Sequence, residues 1–532
     1  MTNQLAFVFN AHLPFVRHIE YPRFLEEDWL FEAMNESYLP LLRMMNRLMN
    51  EGIKFQLTFS LSPTLCAMLT DKMLQERFVG YLELHIELGE KEQERLRQED
   101  NENALRTLEI YRRNLEQNLE DFENLYKRNI LEGFKQLSEL GYLELITTAA
   151  THCYLPAYQS NPVAVNAQIE TGVMSHAYNF AAQPNGFWLP ECGYYPGLEG
   201  LLKKSGINWM HLAAQAVVLA NPFVKRANYA PIQCENGVYG FARDYYLTSL
   251  VWSSTNGYPC DSDYREFYRD IGYDLDLDYI RPYIHEPDVR VFTGFKYHAI
   301  TGKTDQKKVY DPSKASAKVR LHAKNFLFNV RHKGVALSDI LDVDPLYTLS
   351  FDCELFGHWW FEGVEWLENV IRECSIANDM ALITPSNYLE QGIDAEIMEP
   401  SFSSWGEGGF SSFWIDNSTN AWIYRHTFEA VRNMEELACR FPDQSSLKQR
   451  FLNQAARETL LLMASDWPFM IHNHTSRSFA EATLSSHIKN LNLVYNNMCK
   501  NAVNTEWLVK AEKRNNVFRY IDYNIFNPEH LK

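Results

Sequence analysis

Positive charge is scarce in this sequence. Its 532 residues carry 50 Lys and Arg against 68 Asp and Glu, a net charge of -18. Such a surface repels nucleic-acid phosphates and anionic lipid but leaves a neutral polymer free to bind, so nucleic acid is excluded as a partner. Cysteine is sparse too: nine residues, scattered, odd in number and never in C-x-x-C spacing. That is the pattern of reduced thiols in a cytoplasmic protein, not of a disulfide framework or a zinc knuckle. No apolar run approaches the roughly 20 residues of a membrane span, and MTNQLAFVFNAHLPFVRH lacks the basic start and long apolar stretch of a secretory signal. These absences predict a soluble, cytoplasmic protein with no membrane partner. Internal repeats and low-complexity linkers are also missing, and nothing demands an oligomer; a monomer suffices. What the chain has in excess is aromatics, at 14% with 12 Trp and 29 Tyr, which suit a surface that stacks on rings.

Short apolar, β-branched or aromatic runs recur between helical patterns: LAFVFN at 5, FQLTFS at 55, YLELITTA at 142, FWL at 187, VRVFTGF at 289, YTLSF at 347 and MALIT at 380. Runs apolar on both faces and separated by helices predict a parallel sheet covered on both sides, hence an α/β barrel or a doubly wound fold. The length favours the barrel. Residues 72–140 depart from this rhythm; rich in Glu, Gln, Arg and Asn, with Leu108, Leu115, Leu119 and Phe122 at helical spacing, they predict a helical insertion that packs on its own barrel. From about Asn420 the pattern is helical to the end. The expected organisation is a catalytic barrel over 1–400, interrupted by the 72–140 insertion, and a helical C-terminal domain over 401–532.

Ionisable residues follow four of the runs: His12 after LAFVFN, His152 after YLELITTA, Glu191 after FWLP and Asp352 closing YTLSF. In barrels the active site lies at the carboxyl ends of the strands, where such residues converge. A strand-end His or Asp is more often a structural partner or a helix cap, but four at once point to chemistry. Glu191 and Asp352 sit among aromatics, in FWLPECGYY and FDCELFGHWWFEG, which would desolvate a carboxyl and hold it protonated. Paired carboxylates among aromatics suit glycoside chemistry, which needs one carboxylate at the anomeric carbon and one acid at the leaving oxygen. Trp405 and Trp414, in SSWGEGGFSSFW, and the Asp466-Trp467 pair offer further sugar contacts, against an alternative of plain interdomain packing. Two rival readings use the same residues. His12, His152, Glu191 and Asp352 could ligate a metal, as in a carbohydrate deacetylase, although none belongs to a compact H-x-H or H-E-x-x-H pair. Cys192 or Cys353 could serve as a nucleophile with His152, although period-two alternation turns each away from its neighbouring carboxylate.

HLPFVRH, ATHCYLP, WLPECGY, FDCELFGHWWFEG and SDWPF, in this order, resemble the signature segments of glycoside hydrolase family 57. YREFYRDIGYDLDLDYI at 264–280 further resembles the branching-enzyme and amylase subgroup that carries a helical C-terminal domain. The resemblance implies a distorted (β/α)7 barrel, a retaining double displacement on α-1,4-glucan, and neither a metal nor an organic cofactor. It implies Glu191 as nucleophile and Asp352 as acid/base, with His12 and His152 holding the sugar and Trp405, Trp414, Asp466 and Trp467 lining the glucan groove. Arg265 is implied at the same mouth. Branching by transfer to a 6-hydroxyl, in glycogen synthesis, is the expected activity, with hydrolysis or 4-α-glucan transfer as alternatives. Branching members of the family carry a loop tyrosine over the site; residues 221–244 are the candidate loop, short for that purpose, with Tyr229 or Tyr239 as the tyrosine. A non-catalytic glucan-binding relic would be expected to lose one carboxylate, and both are present.

Overall fold

The computed structural model describes residues 2–531. Among them ten strands form one curled sheet: β1 (Asn3–Ala11), β2 (Leu57–Leu61), β3 (Leu143–Thr148), β4 (Gly186–Trp188), β5 (Trp209–Leu212), β6 (Ile232–Gln233), β7 (Tyr239–Ala242), β8 (Leu346–Asp352), β9 (Met380–Leu382) and β10 (Glu396–Ile397). Along β7-β5-β4-β3-β2-β1-β8 every neighbouring pair is parallel. One parallel bridge, Arg243 to Thr348, joins the residue that follows β7 back to β8. Seven strands so linked make a distorted (β/α)7 barrel. β6 pairs antiparallel with β7, β10 extends β6, and β9 runs beside the first residues of β1.

Period-two alternation sorts the side chains of this sheet into two cores. Leu5, Phe7, Phe9 and Ala11 of β1 point outward into the cluster beneath the helices, together with Tyr347, Leu349 and Phe351 of β8. Ala6 and Val8 point inward, where they meet Ile146, Trp188, Trp209, Phe241 and Leu346. By the same parity Asn10 and Asp352, paired in register across β1 and β8, fall on the inward face at its carboxyl end. Cys353 falls in the outer core.

The long helices Lys72–Gln98 and Glu102–Glu120 lie between β2 and β3. Asp71 caps the first by accepting from Met73 and Leu74 amides, and Asn101 caps the second. Leu108, Leu115 and Phe122 are buried in the same cluster as β1, so this apolar stripe is covered from within the chain. After Asn420 the chain is helical, over Trp422–Arg440, Ser446–Leu462, Asp466–Asn473, Arg477–Cys499 and Thr505–Arg514. These helices close a second core around Met434, Phe451, Leu460, Leu491 and Val494, which Ala150, Val163 and Ala167 of the barrel part join. No helix among the described residues is long and apolar enough to cross a membrane.

One expected strand is absent. VRVFTGF at 289–295 forms only an isolated bridge, His285 to Val289. Its backbone is satisfied instead by a buried side chain: Asp270 accepts from the amides of Thr293 and Gly294, and Gly294 takes a left-handed φ of 78° that no strand would hold. Conversely β5 and β7, four residues each, carry no long apolar run that would announce them.

Candidate active site

Because the barrel strands are parallel, their carboxyl ends gather at one mouth. Glu191 reaches it through a turn at Pro190–Cys192 just beyond β4. Glu191 and Cys192 both adopt left-handed φ, 61° and 52°, as does His152 at 51°. Such backbone costs about 1–3 kcal/mol per residue and persists only where the surroundings enforce it. Here the amide of Trp405 donates to the Glu191 carbonyl at 2.8 Å, and that of Cys192 to Leu189 at 2.9 Å.

The Glu191 carboxylate is held on both oxygens. Trp405 Nε1 donates to Oε2 at 2.7 Å and Ser465 Oγ to Oε1 at 2.9 Å, while His152 Nδ1 lies 3.5 Å from Oε1. Asp352 is held far less. Its side-chain partner is Asn10 Nδ2, which lies 3.3 Å both from Asp352 Oδ1 and from His152 Nε2. Burial first, and then the charge of Glu191, push the Asp352 carboxyl up to about 6. His12 stacks on His152 with ring centroids 4.1 Å apart. It is fixed by Ser62 Oγ at 3.0 Å and by Asp466 Oδ2 at 3.2 Å. Behind them Glu354, bonded by Tyr38 and by the His12 amide, is pushed up to about 8 by burial and by the neighbouring Asp352 charge.

The aromatic wall has Trp405 at its centre. Trp405 meets Trp188 edge-on at 5.5 Å and lies nearly parallel to Trp252 at 6.3 Å, and Trp252 meets Trp359 at 6.0 Å. Trp252 and Trp359 keep 38% and 45% of their surface open, so the wall offers faces on which a sugar ring can stack.

The structure brings together His12, His152, Glu191, Asp352, Trp405 and Asp466. It does not bring the others. Trp414 is 1% exposed and stacks on Tyr154 at 5.1 Å; Trp467 is 1% exposed and donates to Leu461 O in the helical core. Neither ring has a face for a sugar. Arg265 lines a separate cavity and makes no hydrogen bond, ion pair or ring contact with Glu191 or Asp352 among the described residues; its segment pairs with Ala299 instead. Tyr229 and Tyr239 stand at the opposite end of the barrel. The Tyr229 carbonyl accepts from Leu346, where β8 begins, and Tyr239 is the first residue of β7. Neither overhangs Glu191. Sequence reasoning missed Asn10, Ser465, Tyr38, Glu354, Trp252 and Trp359. Inward parity within LAFVFN marks Asn10, and Ser465 sits beside the chosen Asp466; Trp252 carries no signal beyond being an aromatic.

The rival chemistries find little here. Cys192 is buried with Sγ 3.5 Å from His211 Nδ1 rather than against His152, and burial pushes its thiol well up; Cys353 is likewise buried and raised. Neither is a ready thiolate. Among the described residues no three His, Cys, Asp or Glu side chains are arranged to hold a metal ion, and His12 and His152 stack instead of converging.

Comparison with known proteins agrees with this architecture. The family model of glycosyl hydrolase family 57 matches residues 6–332, more than half of the chain, and that of the 1,4-alpha-glucan branching enzyme C-terminal region matches residues 426–526. The 1,4-alpha-glucan branching enzyme of Thermococcus kodakarensis is 30% identical, over 100% of this chain and 80% of its own. Among solved structures, the alpha-amylase AmyC of Thermotoga maritima is 39% identical with a TM-score of 0.92, covering 99% of both chains. The branching enzyme of Pyrococcus horikoshii is 29% identical with a TM-score of 0.88, over 99% of this chain and 97% of its own. The chain belongs to glycosyl hydrolase family 57.

Proposed function

We propose that this protein is a retaining 1,4-α-glucan branching enzyme, acting in the cytoplasm on amylose- or glycogen-type chains. The observation that carries the mechanism is the unequal holding of two carboxyl groups at one mouth. Asp352, pushed up to about 6, is suited to carry a proton; Glu191, fixed by Trp405 and Ser465, is suited to attack. Glu191 forms a bond to the anomeric carbon while Asp352 gives its proton to the departing glucan 4-oxygen. Asp352, now ionised, takes the proton of an incoming 6-hydroxyl, whose oxygen displaces Glu191 and leaves an α-1,6 branch. His12 and His152, stacked beside Glu191, position the sugar at the point of cleavage, and Trp405, Trp252 and Trp359 support the chain. The match of residues 426–526 to the branching-enzyme C-terminal region supports transfer as the outcome.

A second reading, hydrolysis, is favoured by one finding: neither Tyr229 nor Tyr239 covers the mouth, so water can compete for the covalent intermediate. The test is incubation with amylose, counting α-1,6 linkages by proton NMR beside new reducing ends. Many branches with few reducing ends are expected. Reducing ends without branches would make the enzyme an amylase, and a redistribution of linear chain lengths alone would make it a 4-α-glucan transferase.

A further inference from the structure

Away from the catalytic mouth, a cavity of about 610 Å³ opens between the helices Leu39–Asn50, Glu102–Glu120 and Gly363–Ile376. This volume lies within the roughly 300–1,000 Å³ of small-molecule sites. Two of its lining side chains are buried and incompletely bonded. Arg265, 6% exposed, lies over the Phe361 ring at 4.2 Å, forms no ion pair among the described residues, and has an unpartnered Nε. Glu362, 4% exposed, accepts on Oε1 from Tyr310 at 2.7 Å and from the Arg265 amide at 3.0 Å, but its Oε2 has no partner. A buried donor and a buried acceptor left open in one cavity call for a ligand that both accepts and donates. The lining holds four arginines, at 43, 47, 113 and 265, and four glutamates, at 36, 362, 365 and 368, a balance that favours a neutral ligand over an anion. Phe361, only partly buried, supplies apolar ring surface, whereas Tyr111 is covered.

We propose that this cavity is a second, non-catalytic carbohydrate site that takes a glucosyl unit of an α-glucan chain; the choice of α-glucan rests on the reading of the catalytic mouth. Sugar hydroxyls donate and accept, so one ring serves Arg265 and Glu362 together while its C–H face lies against Phe361. Phe361 is two residues from Trp359 of the aromatic wall, so one short segment links the cavity to the mouth.

The experiment is calorimetric titration of maltoheptaose into the full chain carrying Glu191→Gln, which halts turnover. Two binding events are expected. Asn114→Trp, which places a bulky ring at the cavity wall, and Arg265→Gln should each remove one event and leave the other, and the surviving event reports that the variant is folded. One event unchanged by either substitution would overturn the proposal and leave the catalytic reading standing. Inorganic phosphate displacing maltoheptaose from the second event would overturn it in favour of an anion site. No binding at all would overturn it together with the glucan reading, which the branch count tests separately.

Discussion

The barrel mouth and the helical core each hold a desolvated carboxyl group, and they treat it in opposite ways. Asp352 has a single amide at 3.3 Å and is pushed up to about 6. Glu458, fully buried among the C-terminal helices, takes His487 Nδ1 at 2.7 Å, Asn490 at 3.0 Å, Asn515 at 2.9 Å and Gln454 at 2.7 Å, and is held below the usual carboxylate range in spite of its burial. Burial raises both; the donors together with the neighbouring charge, Glu191 beside Asp352 and His487 beside Glu458, decide the sign. Glu458 is saturated with hydrogen bonds, whereas Asp352, the acid of the proposed mechanism, is left short of them and keeps its proton up to about pH 6.

Amide substitution breaks this comparison most sharply. Asp352→Asn and Glu191→Gln should each lower kcat on amylose by at least about 10³-fold, with the melting temperature kept. Above pH 6 Asp352→Asn should be no less stable than the parent, because ionising a group whose folded pKa is raised costs the folded state there. That benefit vanishes below the unfolded value near 3.9. Glu458→Gln should do the reverse: kcat per folded molecule kept, and stability reduced by about 1–3 kcal/mol through weakened charge-assisted bonds. This loss is full above the unfolded value near 4.3 and shrinks as pH falls through the lowered folded value. Thermal melts of both variants at pH 3 and pH 8 would check the signs; a Glu458→Gln protein that melts with the parent but loses turnover would remove the distinction.

Much of this was legible in the sequence. Six of the seven runs it marked as apolar do carry strands, and the residues closing LAFVFN, YLELITTA, FWLP and YTLSF arrive at one mouth, because period-two alternation and parallel strands leave them few other places. What the sequence hid depends on contacts distant along the chain. Trp414 and Trp467 read as groove residues because a tryptophan in a Gly- and Ser-rich or strand-poor segment has no marker for burial, and only Tyr154 and Leu461 settle it. VRVFTGF reads as a strand until Asp270, about twenty residues earlier, takes its amides.

A smaller effect sharpens the account of Glu191. In the proposed mechanism Trp405 supports the chain, and its Nε1 donates to Oε2 at 2.7 Å; Trp405→Phe keeps a ring while deleting the donor. Loss of one hydrogen bond to a charged group predicts kcat down by about 10- to 100-fold. A fall confined to KM would mean that the ring, and not the N–H, is what the reaction uses.

Asn10→Ala makes the finest change and reads the asymmetry directly. Asn10 stabilises ionised Asp352, and in the balance of influences on that carboxyl it lowers the pKa against burial and the Glu191 charge, which raise it. The acid must be protonated for the first step, so kcat/KM should fall as pH rises through about 6. Deleting the Asn10 amide should move that alkaline limb to higher pH, by up to about one unit, the worth of one ordinary hydrogen bond. The two carboxyl groups titrate as a pair, so the limb reports their joint behaviour, yet the direction is fixed by the chemistry: removing a donor from a carboxylate can only favour its proton. A limb that moved to lower pH would mean that Asn10 serves His152 alone, and that the shortage of donors at Asp352 is not what sets its acidity.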